Sequence, residues 1–182
     1  MKTFEDIKGW FYYREFYDML LGILPRGATV VEVGVFYGKG LVYLAQNQGG
    51  KNLKIYGVDP FISEPYLAVY QDSDIHSDED FYERCIRNLF DAGVGREVTL
   101  ISLPSVRAAG LFEDASLDCV FIDGNHAAEA VEEDINTWRP KVRPGGILAG
   151  DDYVPDLEGV VQVVDRMLPD RRLVGQAWYT RV

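Results

Sequence analysis

Five short apolar runs divide the chain, and they limit its fold more tightly than any other feature. They are ATVVEVG (28–34), LKIYGVD (53–59), EVTLIS (97–102), LDCVFID (117–123) and GGILAGD (145–151), each bounded by Gly, Asp or Pro. Runs that are continuously apolar, rather than alternating, are those of strands buried on both faces. Between them lie amphipathic stretches that read as helices at 38–47, 78–92, 103–112, 126–138 and 156–168, the last stopped by Pro169. Strands alternating with helices predict an α/β fold: a doubly wound, seven-stranded, mostly parallel, Rossmann-like sheet. The closing RRLVGQAWYTRV supplies the last two strands as a hairpin around Gly175–Gln176.

Two segments stand outside this rhythm. Residues 3–24 read as an extra N-terminal helix with an aromatic face of Phe4, Trp10, Phe11, Tyr13, Phe16 and Tyr17. Such a face suits packing on the sheet or against a second copy in a homodimer better than a substrate lid. Residues 61–77 have no clear period and many acidic or turn residues, which predicts a long loop.

Charge narrows the partners. Eighteen basic and twenty-nine acidic residues leave a net charge of −11 over 182 residues, which disfavours nucleic acid. The densest basic group, Arg139, Lys141 and Arg143, lies beside Glu132, Glu133 and Asp134. No apolar stretch is long enough to cross a membrane, and Cys85 and Cys119 lack metal-ligand spacing. The expectation is a cytoplasmic protein with two reduced, buried thiols and no membrane partner.

The first run enters VVEVGVFYGKG, which places Glu32, Gly34, Gly38 and Gly40 at a strand-to-helix turn. Glycines there permit a sharp turn and close approach of a ligand to the backbone. The spacing G-x-x-x-G-x-G is not the dinucleotide fingerprint, and an acid just before the first glycine suits a cationic amino group rather than phosphates. Asp59, ending the second run, is placed to accept hydrogen bonds from ribose hydroxyls. Together these features favour a nucleoside that carries an amino acid.

At these positions the chain resembles the class I S-adenosylmethionine-dependent methyltransferases. VVEVGVFYGKG is similar to their first motif and IYGVDPF to the acid of their second strand. LDCVFIDGNHAAEAVEEDINTWRPKVRPGGILAGDDY resembles a narrower group, the small metal-dependent O-methyltransferases of the macrocin O-methyltransferase and cephalosporin-hydroxylase-like kind. The resemblance runs from about residue 28 to 168 and implies one methyltransferase domain over 1–182, with 1–25 as the N-terminal helix and 26–182 as the catalytic core. It makes Glu32, Gly34, Gly38 and Asp59 contacts of S-adenosylmethionine, and puts Ser105 near the adenine. Gly40 departs from the pattern, because many relatives carry a hydroxyl residue there.

Asp123 ends the fourth run and Asp151 and Asp152 end the fifth. On adjacent parallel strands, about 4.8 Å apart, these carboxylates can converge, and a divalent cation would offset their repulsion. An all-oxygen set suits Mg2+, Mn2+ or Ca2+, and the resembling family places its metal here. Asp151 is expected to contribute ahead of Asp152, whose plainer role is to cap the following turn. His126 stands where catechol-type relatives have a basic lysine, so the resemblance implies that it accepts a proton from the substrate hydroxyl, with Asp123 beside it.

The sequence therefore predicts metal-assisted methyl transfer from S-adenosylmethionine, with Mg2+, to a hydroxyl of a small molecule such as a sugar, glycoside or phenol. A metal-dependent hydrolase on the same aspartates is the first rival. A non-catalytic module that binds S-adenosylmethionine or S-adenosylhomocysteine is the second.

Overall fold

The computed structural model describes residues 1–62 and 80–182. Seven strands form one sheet: β1 (Thr29–Val33), β2 (Lys54–Val58), β3 (Val98–Ile101), β4 (Leu117–Ile122), β5 (Val142–Gly150), β6 (Arg172–Val174) and β7 (Ala177–Arg181). Their order is β3-β2-β1-β4-β5-β7-β6. The first five are parallel and the last two form the antiparallel hairpin expected at the C-terminus.

Helices cover both faces. On one lie α1 (Arg14–Ile23), α2 (Lys39–Asn47) and α3 (Phe81–Asp91), and on the other α4 (Ser105–Ala109), α5 (Ala128–Trp138) and α6 (Glu158–Met167). Val30, Ile55, Cys119, Phe121, Ile147 and Ala149 pack with the first set, whereas Val31, Val33, Val58, Val120, Ile122 and Leu148 pack with the second. Two hydrophobic layers on one sheet explain why the central strands carry apolar residues on both faces.

The N-terminal region differs from the single helix expected over 3–24. A short 3-10 turn, Phe4–Asp6, is followed by non-helical chain up to Tyr13, and only then by α1. Gly9 adopts φ +114, where a helix cannot continue, and a side chain there would meet the Phe36 ring at 3.1 Å. The segment is thus folded down onto the turn after β1. The fifth strand also begins earlier than expected, at Val142, with a register shift opposite Leu117 and Cys119. Most of the 61–77 loop, including His76, lies outside the described residues. Among the described residues, no helix is long and apolar enough to cross a membrane.

Candidate active site

Strand pleat decides where the acids go. Side chains alternate between faces, so Glu32 shares a face with Val30, Asp59 with Ile55, Asp123 with Phe121, and Asp151 with Ala149. All four therefore fall on the side that carries α1 and α2, and three stand just past the carboxyl ends of their strands. That rim of an open α/β sheet is where ligands bind.

The turn after β1 is held by backbone contacts. Gly34 has φ +87, and a Cβ on it would come within 1.8 Å of the Asp123 carbonyl oxygen. Gly38, also left-handed at φ +83, caps the start of α2. Asp59 Oδ2 accepts from Val35 N at 2.8 Å and Phe36 N at 3.0 Å, while Oδ1 accepts from Phe61 N at 2.7 Å. Burial pushes its pKa up, and the three amides oppose that shift. In this structure Asp59 therefore braces the turn, with at most one lone-pair direction left for a ribose hydroxyl.

Glu32 is only 1% exposed, and burial lifts its pKa to about 8. Its partner is the Tyr17 hydroxyl of α1, which donates to Oε2 at 2.6 Å. Tyr13, the N-cap of α1, lies beside it: its buried phenol interacts with the Asp123 carboxylate, and its ring is tilted against Phe121 with centroids 4.5 Å apart. Burial, then the charges of Glu32 and Asp123, push the Tyr13 pKa well up. Sequence reasoning placed both tyrosines on an aromatic packing face and missed their hydroxyls. The available signal was two phenols at i and i+4 on a face directed at a strand carrying a buried acid.

On the acceptor side, one ligand atom from each of Asp123, His126 and Asp152 lies within 4.8 Å of the others. His126 Nε2 is 2.8 Å from Asp152 Oδ2, and this pairing raises the imidazole pKa. Asp152 reaches it from a left-handed backbone conformation, φ +64, directly after β5. Burial, followed by the charges of Asp151 and Asp152, raises the Asp123 pKa. Asp151 stands outside the group of three. Its Oδ2 accepts from Gln176 at 3.3 Å, and its Oδ1 is buried without a hydrogen-bond partner. Burial and the neighbouring Asp152 lift it to about 6. Convergent carboxylate oxygens of Asp123 and Asp152, with an unpartnered oxygen on the adjoining Asp151, fit a hard divalent cation.

Ser105 is engaged elsewhere. Its hydroxyl donates to Asp134 and accepts from Trp138 Nε1 at 2.8 Å, tying α4 to α5. Lys39 has a local task, since its ammonium donates to the Gly9 carbonyl at 3.1 Å and holds the N-terminal segment over the glycine turn. Cys85 and Cys119 are free thiols, and burial pushes both pKa values up, so they are inert core groups.

Residues 31–153, which span the turn, Asp59, Asp123 and both terminal aspartates, match the family described as a methyltransferase domain. The chain belongs to this family. Several solved structures are similar to the methyltransferase. Cofactor-bound Rv0187 from MTB is 18% identical, with 97% of this chain and 82% of that one covered at a TM-score of 0.63. A Klebsiella pneumoniae protein assigned as an O-methyltransferase is 19% identical over 92% and 78% of the two chains, at 0.66. The SAM-dependent O-methyltransferase of Thermotoga maritima is 15% identical over 94% and 65%, at 0.62. At these identities the likeness is one of fold. A comparison with curated proteins finds no match. The methyltransferase is thus of class I and resembles the small O-methyltransferases in architecture.

Proposed function

We propose that this methyltransferase transfers the methyl group of S-adenosylmethionine to a hydroxyl of a small molecule, with a divalent cation, Mg2+, at the acceptor. The observation that carries this reading is the convergence of Asp123, His126 and Asp152 on the same rim as the buried Glu32 and the glycine turn.

Glu32 offers an acceptor to the cationic amino group of the methyl donor, and a cation beside it offsets the desolvation that now lifts its pKa. The turn from Gly34 to Gly38 lets the donor approach the backbone, and Asp59 holds that turn in shape while keeping one direction for a ribose hydroxyl. Ser105 is left out of this set, because its donor and one acceptor site are already committed.

Asp123 and Asp152 hold the cation; two carboxylates with water completing the shell are a usual Mg2+ arrangement. When bound, the cation lowers the pKa of an acceptor hydroxyl. His126, oriented by Asp152 at 2.8 Å, receives the hydroxyl proton. The remaining work is alignment of acceptor oxygen, methyl carbon and sulfur, to which proximity and orientation contribute most. The net charge of −11 argues against a polyanionic acceptor, and a sugar, glycoside or phenol is the acceptor proposed.

The test is transfer of labelled methyl from S-adenosylmethionine into a panel of sugars, glycosides and phenols, with magnesium or with chelator. Labelled ether product that disappears with chelator is expected. Product formed equally with chelator would remove the metal from the reading, and no product with any hydroxyl compound would remove the hydroxyl.

A further inference from the structure

The N-terminal segment reaches further into the site than packing alone requires. Tyr17 binds Glu32, the residue proposed to meet the methyl donor, and Tyr13 faces Asp123, the residue proposed to serve the acceptor. The space that brings Tyr13 there exists because residue 40 has no side chain. A Cβ on Gly40 would lie 2.7 and 2.8 Å from the two Glu32 carboxylate oxygens and 2.9 Å from the Tyr13 hydroxyl. One small volume is therefore ringed by a carboxylate from β1, a phenol from the N-terminal segment and the first turn of α2.

We infer that Tyr13 is a positioning residue through which the two halves of the site communicate. Its hydroxyl stands between Glu32 and Asp123 in the space opened by Gly40, so that a ligand engaging either acid changes the partner available to the other. This rests on the assignment of the Glu32 side to S-adenosylmethionine and of Asp123 to the cation. A phenol has a single proton to donate, and both neighbours offer it a carboxyl oxygen. A cation on Asp123 satisfies that carboxylate and releases the phenol to turn toward the Glu32 side. There it can donate to the carboxylate of a donor whose amino group Glu32 holds. A zwitterionic head group needs just this pair, an anionic acceptor next to a neutral donor. Magnesium is thereby expected to tighten binding of the methyl donor, and by reciprocity the donor tightens magnesium.

Calorimetric titration of the full chain with S-adenosylmethionine, once in magnesium chloride and once in chelator, tests this. The wild type is expected to bind more tightly with magnesium by about fivefold or more. Tyr13→Phe keeps the ring packed on Phe121 and Tyr17 but removes the hydroxyl, and its ratio is expected to fall to near one. Tyr12→Phe, at a side chain 66% exposed, is expected to keep the wild-type ratio. Gly40→Ala provides a second route, since its Cβ fills the space between the Glu32 carboxylate and the Tyr13 hydroxyl in which the phenol would turn, and it decides the matter should Tyr13→Phe not fold. A wild-type ratio of one, or a ratio preserved in Tyr13→Phe or Gly40→Ala, overturns the inference while leaving the cofactor assignment standing. Absence of S-adenosylmethionine binding in both conditions would instead overturn the cofactor assignment itself.

Discussion

The Tyr17 hydroxyl donates to Glu32 Oε2 at 2.6 Å across the interface between α1 and β1, in a part of the core where both residues are almost wholly buried. This bond is the partner that lets a carboxyl group sit beneath the glycine turn. It only partly offsets burial, which holds the Glu32 pKa at about 8 instead of 4.5.

A pH dependence follows from that shift. Between pH 4.5 and about 8 the folded protein keeps a proton on Glu32 that the unfolded chain releases, so this group's contribution to stability declines as pH rises through that window. Glu32→Gln has no charge to bury. In urea unfolding it is expected to match the wild type at the acid end of the window and to exceed it by more than about 1 kcal/mol at the alkaline end. The same variant should bind S-adenosylmethionine roughly tenfold more weakly or worse, since a charge-assisted hydrogen bond contributes about 1.5–3 kcal/mol. Unchanged affinity would take Glu32 out of the binding site.

Carboxylate placement predicts an unequal metal response. Asp123→Asn and Asp152→Asn should each weaken magnesium binding by about tenfold or more, whereas Asp151→Asn, outside the group of three, should weaken it less. Competition against Mn2+, followed by electron paramagnetic resonance, ranks the three. A larger loss in Asp151→Asn than in Asp152→Asn would reverse the assignment.

His126 is predicted to move a proton rather than to bind the cation. His126→Gln should lower kcat by about 100-fold or more while leaving magnesium affinity within about threefold. Asp152 raises the imidazole pKa in the metal-free protein, and the imidazole must lose its proton to act as a base, so kcat should rise with pH as it deprotonates. A parallel drop in magnesium affinity would make the imidazole a ligand.

Ser105→Ala separates structure from binding. It strands Asp134 and the Trp138 indole N–H, both in the core layer between α4 and α5, and should cost about 1–3 kcal/mol in chemical denaturation. S-adenosylmethionine affinity should stay within about twofold. A tenfold loss of affinity with little loss of stability would return Ser105 to the cofactor site.

The sheet could be read from the sequence because its signal is local. Runs such as TVVEV and LDCVFI have no polar face to confuse their period, and the acids that end them are visible as breaks. Pleat parity then carries Glu32, Asp59, Asp123 and Asp151 to one side without further information. What escaped was set by contacts distant in sequence. Phe11, Tyr13, Phe16 and Tyr17 look alike as an aromatic stripe, and only the fold shows that two of them end in hydroxyls directed at acids. Gly9 is a poor helix former on sequence grounds, but only the fold shows that the helix breaks there, at φ +114 against the Phe36 ring. The separation of Asp151 from Asp152 has a similar origin. Parity buries Asp151 beside Gln176, and a left-handed backbone swings Asp152 back toward His126.

Asp59 shows how such distant control can free a segment. Its two oxygens fasten amides at Val35, Phe36 and Phe61, and Phe36 holds φ +51, a conformation costly for a bulky residue. The shape of the glycine turn is therefore written largely at position 59, through main-chain groups that every residue but proline possesses. Those bonds do not depend on which side chains stand at 35 and 36; what limits a change there is packing, since Val35 is buried and the Phe36 ring meets Trp10 and Phe81.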